Sequence, residues 1–161
     1  MAENNARNSA GTSVMERELV ITRRFNAPRQ QVFEAWTDPR HAKSWWGPRD
    51  YPVTYVEMDA RPGGAWRACL TSTENGEELW QGGVVREIHA PDRLSFTFAW
   101  DGEQAGSPGH EMVVTVTLEE DGDGTLMTFR QSPFDSVEDR DGHEGGWSST
   151  FDRLDDYLAA A

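Results

Sequence analysis

The chain has 161 residues, with 15 Lys and Arg against 28 Asp and Glu and a formal net charge of −13. That length fits one domain with a sizeable core, and so acidic a surface repels phosphate backbones and anionic lipid, which sets nucleic acid and membrane surfaces aside as partners. The lone Cys69 excludes an internal disulfide and fits a reducing compartment; with no apolar run of membrane-spanning or signal-peptide type, the reading is a cytoplasmic protein.

Residues 1–16 have few apolar side chains and no periodicity, and are read as a flexible leader before one domain over 17–161. "RELVITRRF" (17–25) puts Leu19, Ile21 and Phe25 on one face of a strand, with Arg23 interrupting the pattern. "NAPRQQVFEAW" follows as a helix, with Asn26 as candidate cap, Pro28 near its start, and Val32, Phe33 and Trp36 at helical spacing. Asp38-Pro39 restarts a second short helix that carries Ala42, Trp45 and Trp46 to its end at Gly47-Pro48.

The middle of the chain reads as strands at 53–60, 65–73, 79–89, 93–100, 111–120 and 125–131. Between them lie the turns "RPGG", "ENGEE", "APDR", "DGEQAGSPG" and "DGDG". Leu94, Phe96, Phe98 and Trp100 share one strand face, as do Met112, Val114, Val116 and Leu118. Short connections between consecutive strands predict an antiparallel meander. The last segment changes period: Ser136 and Asp139 resemble a capping box, and His143, Trp147, Phe151, Leu154 and Leu158 form one stripe of a helix of about 25 residues. Such a helix is suited to cover the concave face of the sheet, giving an α+β fold with room between the two.

Several constellations carry chemistry. Adjacent helix residues diverge by about 100°, so one ring of Trp45–Trp46 fills the core and the other borders the space, with the choice between them open. His143 points along the same stripe; it either hydrogen-bonds a loop carbonyl, the commoner role, or orients a ligand and moves a proton. Asp59 and Arg61 suit an ion pair that fixes a turn, with Arg61 the better ligand contact. His41, His89, His110 and His143 lack metal-ligand spacing, "DGDGT" departs from a calcium loop at its sixth and twelfth positions, and nothing asks for a cofactor. Cys69, between Ala68 and Leu70 in a strand, reads as a buried inert thiol. The remaining signal is aromatic: Trp66, Trp80, Phe96, Phe98, Trp100, Met112, Phe129, Trp147 and Phe151 are rings and a thioether suited to core or to pocket wall.

The pieces "FNAPRQQVFEAWTDPRHAKSWWGP", "MDARPGG", "APDRLSFTF", "GDGTLMTF" and "HEGGWSSTFDRLDDYL" run in order over nearly the whole chain outside the leader. In them the sequence resembles the activator-of-heat-shock-ATPase homologues (Aha-type) of the START-like, or SRPBCC, helix-grip superfamily. The resemblance implies a curved antiparallel sheet gripping a long C-terminal helix, two short helices after the first strand, and a cavity. Superfamily members bind lipids, hormones or polyketides, and some are cyclases or hydrolases. The eukaryotic activators stimulate a chaperone with an additional N-terminal domain, for which these 161 residues leave no room.

Three functions are therefore in view. In the first, the domain holds a small apolar or aromatic molecule between walls of Trp and Phe, with His143 or Arg61 as polar anchor. The second is a cyclase- or hydrolase-like enzyme on the same cavity, with His143 transferring a proton. In the third, the acidic surface docks on a chaperone and takes part in a stress response. Self-association as a homodimer through a sheet edge is compatible with all three.

Overall fold

The computed structural model describes residues 16–102 and 109–160. Residues 1–15 of the leader and 103–108 of the "DGEQAGSPG" turn lie outside the described residues, as does residue 161.

The strands are β1 (Leu19–Phe25), β2 (Val53–Met58), β3 (Ala65–Thr71), β4 (Glu78–His89), β5 (Arg93–Trp100), β6 (Met112–Asp121) and β7 (Gly124–Ser132). They form one sheet in the order β1-β7-β6-β5-β4-β3-β2, antiparallel throughout. Strands β2 to β7 are the meander that the turn spacing predicts, and β1 closes on β7 with Ile21 opposite Phe129. Phe129 in turn faces Val116, and Val116 faces Leu94, so one apolar row crosses four strands. Period-two alternation is what aims that row at a single face.

Two short helices follow β1: α1 (Arg29–Thr37) and α2 (Pro39–Ala42). Helix α1 starts on the Pro28 carbonyl, which accepts from the amides of Gln31 and Val32 at 3.0 and 3.1 Å. Asn26 is not its cap, because the Asn26 side chain is held by Arg24. Asp38 does cap α2, accepting from the Arg40 amide at 2.9 Å with Pro39 as first helical residue. This helix ends at Ala42, four residues before the expected stop at Trp46. The chain there tightens, Ser44 N–H bonding to His41 and Trp45 N–H to Ala42, and both Trp45 and Trp46 are buried in the turn that results. Gly47, at φ 90°, completes it; a side chain there would run into the Tyr51 carbonyl.

The long helix α3 (Val137–Ala160) begins where Ser136 Oγ accepts from the Asp139 amide at 3.0 Å. Trp147, Phe151, Leu154 and Leu158 are buried as the stripe predicts, and Thr150 joins them. Burying each large apolar side chain contributes about 1.5–3 kcal/mol, so this face holds the helix on the sheet. Arg23, the interruption in β1, reaches α3 and pairs with Asp152 at 2.6 Å. Arg153 ties α3 to the tryptophan turn through the carbonyls of Trp46 (2.9 Å), Gly47 (2.8 Å) and Ser44 (3.2 Å). Burial and the neighbouring Arg49 lower the pKa of Arg153.

At the centre of the core lies Trp36, 1% exposed, with Trp45, Trp46, Phe96, Phe129, Trp147 and Phe151 around it at ring separations of 5.0 to 6.4 Å. Its Nε1 is buried without a hydrogen-bond acceptor among the described residues. Cys69 is buried and free.

Candidate functional site

The C-terminal half of α3 packs into this aromatic core, whereas its N-terminal half borders open space. A cavity of about 330 Å³ lies there. Glu138, Asp139, Gly142, His143, Gly146, Trp147 and Thr150 of the helix form one side. The turn Trp46-Gly47-Pro48 with Tyr51 forms the second, and Leu70, Leu79, Gln81, Phe98 and Trp100 of β3, β4 and β5 the third.

The glycines of α3 explain part of that room. A Cβ built on Gly142, Gly145 or Gly146 meets nothing within 4 Å, so none of the three relieves crowding against Trp147. Each costs the helix about 1 kcal/mol relative to alanine. Gly142 and Gly146, one turn apart, both line the cavity and leave bare backbone where side chains would otherwise stand.

Polar groups around the cavity are mostly committed to one another. Trp46 Nε1 donates to Gln81 Oε1 at 2.7 Å. Trp147 Nε1 donates to Oε1 of Gln131, a fully buried side chain behind the cavity, also at 2.7 Å, and Gln131 Nε2 reaches the Met112 sulfur at 3.6 Å. Trp100 Nε1 donates to His143 Nε2 at 2.8 Å, which places the ring proton on Nδ1, and Nδ1 donates to the Asp139 carbonyl at 2.9 Å. Both nitrogens of His143 are thus engaged, one by a strand and one by its own helix rather than by a loop. With neither nitrogen free, the imidazole acts here as a cross-link and as cavity wall. At the rim, Tyr51 donates its hydroxyl to Glu77 at 2.7 Å, an interaction that raises the phenol's pKa.

Of the residues singled out from sequence, Trp46, Phe98, Trp100, His143 and Trp147 come together on the cavity surface. Trp45 stays in the core, its Nε1 bonded to the Ala35 carbonyl at 3.0 Å. Phe96, Met112, Phe129 and Phe151 are buried behind the lining. Trp66 is also core: it sits opposite Gly83 and donates to the Thr97 carbonyl at 2.8 Å, the glycine leaving that approach open. Trp80 does not line the cavity; its ring packs against Tyr55 at 5.7 Å and under the Arg67 guanidinium at 5.0 Å. Arg61 is exposed in its turn and pairs with Asp59 at 2.7 Å, away from the cavity.

Gln81, Gln131, Leu70, Leu79 and Tyr51 were not among the residues read as site. Counting by twos back from the buried Val85 puts Gln81 and Leu79 on the inner face of β4 and Trp80 on the outer one. That alternation was visible; the bulk of Trp80 hid it.

No group of three or more His, Cys, Asp or Glu among the described residues could hold a metal ion. No helix among them is long and apolar enough to cross a membrane.

Similar folds are known from solved structures. A protein from Arthrobacter aurescens shares 27% identity at a TM-score of 0.81, the match covering 93% of this chain and 90% of that one. The AHSA1 protein from Silicibacter pomeroyi shares 25% at 0.80, covering 89% and 98%. Protein Ms6760 from Mycobacterium smegmatis shares 27% at 0.77, covering 92% and 94%. No curated protein matches the sequence. Residues 26–159 match the family described as Activator of Hsp90 ATPase homolog 1-like protein, a span that takes in both short helices, β2 to β7 and nearly all of α3. The chain belongs to that family, and its fold is the START-like helix grip.

Proposed function

We propose that this protein binds a small, largely apolar molecule in the cavity between α3 and strands β3 to β5. The observation that carries this reading is a space of about 330 Å³ which Trp46, Phe98, Trp100 and Trp147 border without filling. Ligand sites begin at about this size and have this composition, mostly ring and aliphatic wall with a few placed polar groups. The helix glycines support it, since they keep the space open at a cost to helix propensity. Titration with the neutral dye N-phenyl-1-naphthylamine tests the reading. Saturable one-to-one uptake with blue-shifted emission is the expected result. Emission that rises without saturating, as on an exposed surface, would overturn it.

The family match supplies a second reading, stimulation of a heat-shock ATPase through the acidic outer surface. A chaperone ATPase assay separates the two: stimulation by wild type that survives filling of the cavity belongs to the surface.

A further inference from the structure

Among the polar hydrogens of the cavity wall, one stands apart. The indole N–H of Trp46 is spent on Gln81, that of Trp100 on His143 and that of Trp147 on Gln131. Thr150 donates its hydroxyl to the Gly146 carbonyl at 2.8 Å, and Tyr51 donates to Glu77. Gln81 is different. It is 2% exposed, lines the cavity, and its Oε1 is held by Trp46, which fixes which way the amide faces. Its Nε2 finds no acceptor among the described residues. Nε2 is not one of the fully enclosed polar atoms, so it opens onto the cavity, where an acceptor on a bound molecule completes its hydrogen bonding.

We infer that the ligand is an uncharged ring compound with a carbonyl-type oxygen that accepts from Gln81 Nε2; this rests on the cavity being the binding site. The ring character follows from the walls, since Trp46, Phe98, Trp100 and Trp147 offer flat apolar faces. Neutrality follows from the charges: Glu138 and Asp139 stand on the cavity's helix side in a chain of net charge −13, and Arg61 is tied up elsewhere. A carboxylate would sit in the field of those two side chains and lose its hydration beside an uncharged amide. A ketone, lactone or quinone oxygen meets neither obstacle.

The matched pair 1-tetralone and tetralin, alike in shape and differing by one carbonyl, tests this by calorimetric titration. Wild type and Gln81→Met are compared through the ratio of the two affinities, so that the different water solubilities of the probes cancel. The expected result is that the ratio moves about fivefold towards tetralin in Gln81→Met. A ratio that does not move overturns the role of Gln81 and leaves the cavity reading standing. If neither probe binds wild type, both fall. Because Gln81 also holds Trp46, a measurement on wild type accompanies the variant. The Gln81 side-chain amide protons should shift in nuclear magnetic resonance spectra on adding 1-tetralone and stay in place on adding tetralin; equal behaviour with both overturns the inference.

Discussion

The Trp100 indole Nε1 and the His143 imidazole Nε2 lie 2.8 Å apart, joining the end of β5 to the second turn of α3 in the cavity wall. The link needs an acceptor on the helix side, and the Asp139 carbonyl keeps the imidazole in the tautomer that provides one. His143→Ala removes the acceptor and should cost about 1 kcal/mol in chemical denaturation. His143→Gln, which can still accept, should recover part of that loss. Equal stability of the alanine variant and wild type would show that the link contributes nothing.

Gln131 and Trp147 form a second pair, fully inside the protein. Gln131→Met leaves the indole N–H buried and unpaired, and should cost about 1–3 kcal/mol. Trp147→Phe leaves the amide oxygen unpaired as well as opening space. The double variant should lose less than the two single losses combined, because no unpaired partner is then left behind. Strict additivity in urea melts would contradict the coupling.

Asp38 predicts an acid-dependent stability. Its carboxylate accepts from the side chain and backbone N–H of Arg40, which lowers its pKa from 3.8 to about 2. The folded value lies below the unfolded one, so the stabilisation is complete above the unfolded pKa and is lost as pH falls through the folded one. Between about pH 4 and 2, wild type should lose more melting temperature than Asp38→Asn. Parallel curves for the two proteins would refute this.

Arg153 fastens the tryptophan turn to α3 by three carbonyls. Arg153→Met should lower stability by about 1–3 kcal/mol, and Arg153→Lys should restore only part, because an ammonium lacks the fork that spans those oxygens. Full recovery by lysine would mean that charge alone matters there.

The strands and the long helix were legible because their apolar residues keep one period over many positions: Met112, Val114, Val116 and Leu118 in β6, and Trp147, Phe151, Leu154 and Leu158 in α3. Short-range competition was harder to read. Asn26 has the chemistry of a helix cap, yet Arg24 occupies it, and that contact depends on the path of the chain rather than on spacing. Trp45 and Trp46 both look helical, but the turn bonds tighten after Ala42 and send one ring to the core and the other to the cavity. The polar half of the site was the least visible. Gln81 matters through its inward position, which the alternation along β4 carries, and through its neighbour Trp46, a long-range contact that sequence does not show.

The most direct test of the account fills the cavity from the helix side. Gly146 faces open space, so Gly146→Leu adds a side chain to the cavity while improving helix propensity. Uptake of N-phenyl-1-naphthylamine by this variant should weaken at least tenfold, and its melting temperature should hold or rise. Undiminished dye binding by a folded Gly146→Leu protein would contradict the claim that this cavity is the binding site.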